Sequence, residues 1–184
     1  FILFLWALAF RDLIRSTPCI VQTDDLDVFH GNLWGNGGRA APTEIIDVDG
    51  LAEEIRDQNR GGYVYGPEFI NLVQRTQCGH NPDPYDATPI EQGIGVNYGM
   101  FKFGGISFAF LEDRKFKTAP IQGQDLDVHE AQLLGARQEA FLEAWRRDEE
   151  EVDGRICLTQ SLFACLQTSP RGQPLLDWDA NGQP

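Results

Sequence analysis

The sequence lacks the short motifs that mark several common classes of enzyme. No G-x-x-x-x-G-K-S/T, G-x-S-x-G or H-E-x-x-H pattern occurs in it. The sequence therefore gives no motif support for a P-loop NTPase, an α/β-hydrolase or a zincin. Its four cysteines include no C-x-x-C pair, which is the basic spacing of zinc ribbons and thioredoxin-type sites. Each lies in or beside an apolar run, so we expect packed thiols at Cys19, Cys78, Cys157 and Cys165.

Basic residues are scarce relative to acidic ones. The chain has 15 Lys and Arg against 28 Asp and Glu, which gives a formal net charge of -13 at pH 7. Nucleic acids and anionic membranes are dense negative charges that such a protein would repel. The composition therefore predicts no nucleic-acid binding, and it makes cations the more natural partners.

The apolar run that opens the chain is too short to cross a membrane. It comprises ten residues, FILFLWALAF, whereas about 20 are needed to span a bilayer, and no basic region precedes it. The run continues as a helical pattern that must end before Pro18. We expect neither a membrane span nor a signal peptide. Because residue 1 is not methionine, we also expect that it is not the natural start of the protein.

What the chain does contain is a dense group of metal-ligand types in residues 17–38. An apolar run, Cys19-Ile20-Val21, predicts a short buried strand, and polar side chains follow where ligands bind in α/β sheets, at the strand end. Carboxylate, imidazole and amide groups suit hard or borderline cations. The alternative is a simple turn in which Asp27 caps a following helical turn, and spacing leaves both open. The candidate ligands are Asp24, Asp25, Asp27, His30 and Asn32.

The remaining patterns predict alternating helices and strands. Alternation over residues 94–111 around Gly104-Gly105 indicates a hairpin, and a glycine- and proline-rich stretch at 79–89 indicates a surface loop. We also predict helices over 49–59, over 67–77 and up to Arg147, and a buried strand over 155–159. One domain of the α/β class follows, with a mixed sheet and helices on its faces.

Other candidate site residues have equally plausible structural roles. Arg114 and Lys115 follow the hairpin and could clamp an anion, or they could form surface ion pairs with Glu112 or Asp113. His80 lies in the proline-rich loop, and His129 falls in a predicted first helical turn. Residues 177–182 match only the opening of a calcium-binding loop.

Four groups of stretches resemble the PhoD-like alkaline phosphatases, a branch of the metallophosphoesterases. They span nearly the whole chain in the order of the family. The stretches are residues 6–13 (WALAFRDL) with 18–35 (PCIVQTDDLDVFHGNLWG), 82–89 (PDPYDATP), 108–117 (FAFLEDRKFK), and 134–142 (LGARQEAFL) with 158–164 (LTQSLFA).

The resemblance implies a metallophosphoesterase-like sandwich of mixed β-sheets flanked by helices. It also implies a centre of divalent or trivalent metal ions (Ca, Fe, Mn or Zn) that activates water to hydrolyse a phosphate ester. By the family pattern Asp-Asp-His-Asp, Asp25 would be a metal ligand, with Asp24 and Asn32 beside it, while Asp27 would orient the preceding position. Arg114 would help hold the anion.

The chain departs from the family pattern at one position and covers only part of the family's domain. Leu26 replaces the motif histidine and cannot transfer a proton, so His30 is the nearby substitute. The resemblance places other ligand-bearing segments before residue 1 and beyond 182, so residues 1–184 would be a single, incomplete domain. The sequence thus predicts an internal portion of a metal-dependent phosphoesterase. The alternatives are a catalytically degenerate module and an acidic cation-binding or interaction domain.

Overall fold

The computed structural model of the protein describes residues 8–29, 33–57, 60–119, 131–161, 167–168 and 174–175. Within these ranges, the helices are α1 (Arg11–Ser16), α2 (Pro67–Cys78), α3 (Asp113–Phe116) and α4 (Gly135–Arg146). The strands are β1 (Thr43–Val48), β2 (Leu51–Arg56), β3 (Gly99–Phe103), β4 (Ile106–Phe110), β5 (Gly154–Leu158), β6 (Gln167–Thr168) and β7 (Pro174–Leu175). Helices and strands are mixed along the chain, as the α/β class requires. The described part contains one three-stranded sheet and two two-stranded sheets, and a sandwich stays a prediction.

The three-stranded sheet has the order β3-β4-β5. A hairpin with the predicted turn is confirmed as the antiparallel pair β3–β4, which turns at Gly104 and Gly105, both at positive φ. Its first strand begins only at Gly99, so the alternating residues 94–98 are not part of it. Strand β5 lies parallel to β4, and the connection between them carries α3 and α4. Helix α3 therefore begins at the carboxyl end of the central strand.

Strand β5 forms where predicted but is not buried among the described residues. Its three central residues are exposed, and Ile156 among them is 45 % exposed. Cys157 is likewise exposed, so the expectation of a packed thiol is wrong there. It is confirmed for Cys78, where burial raises the pKa of the thiol to about 11. Cys19 is partly buried, and Cys165 lies outside the described residues.

The helix predicted over residues 49–59 is wrong, because this segment forms half of the antiparallel hairpin β1–β2. Its turn is Asp49-Gly50, with φ of 54° and 83°, and Gly50 N–H donates to Asp47 Oδ1 at 2.6 Å. Asp-Gly is a strong signal for such a turn. The apolar spacing that suggested a helix instead belongs to a hairpin whose side chains are mostly exposed.

The strand predicted at Cys19–Val21 is also not formed. The segment carries no regular structure, and the main-chain groups of Val21 bond to one side chain instead of a neighbouring strand. Val21 N–H donates to Asn81 Oδ1 at 3.0 Å, and Asn81 Nδ2 donates to Val21 O at 2.6 Å. The Asn81 amide therefore satisfies the backbone as a strand partner would.

Two hydrophobic clusters hold these elements together. One packs the sheet against α4 and comprises Val96, Tyr98, Ala109, Leu111, Phe116 and Phe141. The other packs the N-terminal half of the described chain against α2 and comprises Val28, Leu33, Tyr63, Ile70 and Ile94. Phe116 of α3 belongs to the first cluster and Val28 to the second.

Candidate functional site

The acidic turn, residues 24–27, is a short 3-10 turn that satisfies its own backbone. The Asp24 carboxylate accepts the Asp27 N–H, and Asp27 Oδ2 accepts the Asp24 N–H at 2.7 Å. Asp25 Oδ1 accepts the Leu26 N–H at 2.8 Å. Short acidic side chains favour such turns because they bond nearby main-chain groups. The predicted turn thus exists, but Asp24 and Asp27 cap each other, and Asp27 does not cap a following helical turn.

Neighbouring side chains fix the orientation of the acidic turn. Val28 is buried in the second cluster, and Asp27 Oδ1 accepts a hydrogen bond from Gln77 Nε2 of α2 at 2.9 Å. Asp25 is also buried. Leu26, at the position of the motif histidine, is 73 % exposed. The turn therefore points its central side chain at solvent while holding Asp25 inward.

Arg114 of α3 faces the acidic turn from the other side. Its Nε donates to Asp24 Oδ1 at 2.7 Å, and its Nη1 lies 3.6 Å from Asp25 Oδ2. The side chain of Arg114 is 8 % exposed. The expected alternative, a surface ion pair with Glu112 or Asp113, is wrong for Arg114, because the residue is buried and pairs with carboxylates 90 positions away.

Lys115 also forms a buried ion pair, and this pair lies in the interior. Its Nζ contacts Glu112 Oε1 at 2.7 Å and donates to Gly95 O at 2.7 Å and to Gln74 Oε1. The predicted pairing with Glu112 is correct, although the pair is not on the surface. With its three N–H groups engaged, Lys115 is not placed to clamp an added anion.

The end of β5 joins the acidic turn to α3. Gln160 Nε2 donates to Thr23 O, and Gln160 Oε1 accepts the Arg114 N–H at 3.2 Å. The fully buried Asp113 carboxylate accepts the Thr159 hydroxyl and the Gln160 N–H, each at 3.1 Å. Sequence reasoning did not select Gln160 or Asp113, although both lie in stretches that carried the family resemblance.

A small cavity lies where these groups meet. Its volume is about 10 Å³, which is room for about one water molecule. Thr23, Asp24, Gln74, Arg114 and Gln160 line its polar side. The site is thus closed around a polar cluster and offers no open pocket for a substrate in the arrangement described.

The carboxylates of the acidic turn do not form a metal site as they stand. Oxygens of Asp24, Asp25 and Asp27 accept hydrogen bonds from the turn itself, from Gln77 and from Arg114. No group of three or more His, Cys, Asp or Glu in the described part of the chain could hold a metal ion. The metal centre stays a prediction.

Several predicted site residues are not brought to the acidic turn or cannot be placed. His30 and Asn32 lie outside the described residues, as do His129 and residues 177–182. His80 is exposed in the proline-rich loop. Of the candidate site residues, the structure brings Asp24, Asp25, Asp27 and Arg114 together.

Comparison with known proteins adds no assignment. The chain matches no protein-family model, no curated protein and no solved structure. Among the described helices, none has the length and apolar character that a membrane crossing needs.

Proposed function

We propose that this chain is an internal portion of a metal-dependent phosphoesterase of the PhoD-like type, and that the acidic turn with Arg114 is one corner of its active site. The substrate would be a phosphate ester. The metal ions would be the divalent or trivalent ions that the family resemblance implies, and the full domain would be a sandwich of mixed sheets. Further ligands would come from residues outside this corner.

The observation that carries the proposal is the convergence of the four groups of stretches that resemble the family. They lie far apart in the chain, yet each contacts at least one of the others. The proposal expects these stretches to pack around one site, and their contacts agree with that expectation. The contacts are Arg114 with Asp24, Gln160 with Thr23, Arg137 with Asp86, and Gln138 with the Glu112 N–H.

The chemistry of the corner suits a phosphate ester. A guanidinium presents a planar fork of N–H donors that matches phosphate oxygens, and Arg114 is held at the carboxyl end of the central strand. Ligands of α/β sheets bind at such strand ends. Asp25, buried beside Arg114, and Asp27, tied to Gln77, supply fixed negative charge.

Leu26 favours a second candidate function, a non-catalytic module with the same fold. An exposed leucine at the tip of the acidic turn supplies no group that could protonate a leaving oxygen. The two candidates differ in what the Leu26→His variant does. A catalytic corner that lacks only its proton donor regains activity, whereas a degenerate module does not.

The test is hydrolysis of p-nitrophenyl phosphate and bis(p-nitrophenyl) phosphate, with Ca²⁺, Mn²⁺ or Fe³⁺, by a longer protein that joins this chain to the flanking segments in which the resemblance places the other ligands. Leu26→His should raise the rate about 100-fold, since a positioned proton donor contributes about 10²–10⁴. Leu26→Asn is the matched control, polar but unable to transfer a proton, and should gain nothing. Asp25→Asn in the Leu26→His background should remove the gain. Asp49→Asn, in the exposed turn of the β1–β2 hairpin, should leave it intact.

One outcome would contradict the proposal. If neither the longer protein nor its Leu26→His variant hydrolyses either ester above background with any of the three metals, the phosphoesterase proposal fails. The non-catalytic module is then favoured. Equal activity of Leu26→His and Leu26→Asn would show that position 26 carries no proton chemistry.

A further inference from the structure

The β1–β2 hairpin is largely open to solvent. Every residue of β2 and four of the six residues of β1 are exposed. The two strands form a sheet of two, and no other helix or strand in the described part of the chain packs broadly against them. A hairpin without a covering layer is only marginally stable in water. Its surface is therefore available to a partner.

The register of the hairpin divides its side chains between two unlike faces. Successive side chains of a strand point to opposite faces, and Val48 pairs with Leu51 next to the turn. Leu51 is 74 % exposed and Val48 is 40 % exposed. Contiguous exposed apolar side chains mark surfaces at which another molecule binds. The face that includes this pair, called the apolar face below, consists of Glu44, Ile46, Val48, Leu51, Glu53 and Ile55.

The charge of the hairpin is strongly acidic. Residues 43–56 contain five acidic residues against one basic residue, Arg56. Asp47 and Glu54 lie on the face opposite the apolar face, because side chains alternate along each strand. Charges across an interface are arranged to complement one another. A partner that matches both faces of this hairpin is therefore apolar on one side and basic on the other.

The same charge disfavours two other occupants. A second copy of this chain would bring an equally acidic hairpin, on a protein whose formal net charge is -13, and like charges across an interface repel. An anionic membrane attracts basic segments and would repel this acidic one. Charged side chains on exposed strands also protect proteins against edge-to-edge pairing of identical copies. The acidic residues thus keep copies apart and leave the strand edges open to a basic strand.

We infer that the β1–β2 hairpin is a docking site for another protein, which adds an extended segment to an outer edge of the hairpin. The segment alternates apolar and basic residues. Its apolar side chains extend the apolar face, and its basic side chains meet Asp47 or Glu54 on the other face. In this mode of binding, main-chain hydrogen bonds supply affinity and alternate side chains supply specificity. The inference is independent of the proposed function, because it uses no residue of the acidic turn.

Calorimetric titration of the purified chain with a synthetic peptide of this pattern, acetyl-KIKVKIKVK-amide, tests the inference. Two further peptides are the matched probes. Acetyl-EIEVEIEVE-amide keeps the apolar residues but reverses the charge, and acetyl-KSKTKSKTK-amide keeps the charge but lacks the apolar residues. Each should bind at least about tenfold more weakly than the first peptide, because one part of the complementarity is missing.

A double variant of the apolar face locates the binding on the hairpin. Val48→Thr with Leu51→Thr keeps residues that suit a strand but removes apolar surface, and it should weaken binding of the first peptide about tenfold. Phe103→Thr is the matched control, because Phe103 is equally exposed on a strand outside the hairpin, at 74 %. It should bind the peptide like the natural chain.

A second double variant tests the charge. Glu53→Gln with Glu54→Gln should weaken binding about threefold and reduce its dependence on salt, because two charges that attract the basic peptide are gone. Glu149→Gln with Glu151→Gln makes the same change in net charge at two exposed positions outside the hairpin and is the control. Equal losses in the two double variants would mean that only the net charge attracts the peptide, and the inference would be wrong.

Amide ¹H–¹⁵N spectra of the natural chain give a readout that no substitution can disturb. Addition of the first peptide should shift resonances of residues 43–56. Shifts confined to other residues would overturn the inference, as would equal affinity of the natural chain and of Val48→Thr with Leu51→Thr. Circular dichroism and thermal melts establish that each variant is folded. If a variant does not fold, the spectra of the natural chain decide.

The two other occupants are tested without the peptide. Sedimentation equilibrium should find the natural chain monomeric, and flotation with vesicles of phosphatidylcholine and phosphatidylglycerol should find it unbound. A dimer that is lost in Val48→Thr with Leu51→Thr would show that the hairpin binds a second copy. Vesicle binding that is lost in the same variant would show that it binds a membrane. Either result would contradict the inference.

Discussion

Arg114 and Lys115 are adjacent on α3, and both are buried, yet their partners differ. Lys115 pairs with Glu112, whose side chain is only 4 % exposed, and its other acceptors come from Gly95 and α2. Arg114 pairs with Asp24, whose side chain is 52 % exposed, and with Asp25. The Lys115–Glu112 pair is therefore enclosed by the protein, whereas the Arg114–Asp24 pair is partly open to solvent.

The difference follows from where each side chain leaves α3. Lys115 points towards α2 and the loop at Gly95, so its contacts close the interior between two hydrophobic clusters. Arg114 points towards the acidic turn beside the small cavity. Adjacent residues on a helix project about 100° apart, so one short helix can serve both roles.

The largest expected effect comes from breaking the interior pair. Lys115→Met leaves the Glu112 carboxylate buried without its cation, and we expect a loss of about 3–5 kcal/mol in the free energy of unfolding. Urea denaturation followed by circular dichroism measures it. Arg39→Met, which breaks the exposed pair with Glu91, is the control and should change stability by less than about 1 kcal/mol.

A double variant sharpens this result. Glu112→Gln combined with Lys115→Met removes both charges, so no uncompensated buried ion remains, and part of the lost stability should return. If Lys115→Met costs no more than Arg39→Met, the pair contributes nothing that burial would explain. There would then be no reason to regard Lys115 as contributing more to the stability of the fold than Arg114.

A smaller effect is expected at the acidic turn. Asp24→Asn keeps an acceptor oxygen for Arg114 Nε but removes the charge, and the half-exposed position lets water compensate. We expect a loss of about 1 kcal/mol in the free energy of unfolding, measured in the same urea titrations. A loss as large as that of Lys115→Met would mean that the Arg114–Asp24 pair stabilises the fold as much as the Lys115–Glu112 pair does. The exposure of Asp24 would then not weaken its ion pair.

The two large hairpins show how much of the fold the sequence could predict. The β3–β4 hairpin alternates apolar and polar residues around Gly104-Gly105, and the prediction was correct for its turn and second strand, although the first strand begins at Gly99 and not at residue 94. The β1–β2 hairpin carries Ile45 and Leu51 on exposed positions, 78 % and 74 % accessible. Without a buried face its alternation is weak, and only the turn at Asp49-Gly50 signalled it.

The candidate site was predictable for its charged residues but not for its neutral ones. Asp24, Asp25 and Arg114 stood out by charge, and the family resemblance connected them before any contact was known. Gln160 and Gln77, which hold the acidic turn by hydrogen bonds, carry no such mark in a single sequence. The interior role of Lys115 was equally hidden, because burial depends on packing between elements far apart in the chain.

The smallest expected effect concerns Asp86 in the proline-rich loop, where both side chains of the ion pair with Arg137 are partly exposed. Hydrogen bonds from Thr88, followed by the guanidinium of Arg137, hold the pKa of Asp86 below its ordinary value. A lowered folded-state pKa stabilises the protein above the unfolded pKa of about 3.9, and the contribution is lost as the pH falls through the folded value. Melting temperatures at pH 6 and pH 3 should therefore differ less in Asp86→Asn than in the natural chain. Asp83→Asn, at an exposed aspartate of the same loop, is the control. If the melting temperatures at pH 6 and pH 3 differ equally in Asp86→Asn and in the natural chain, water replaces Thr88 and Arg137 at no cost. Exposure alone would then decide which ion pairs stabilise this protein.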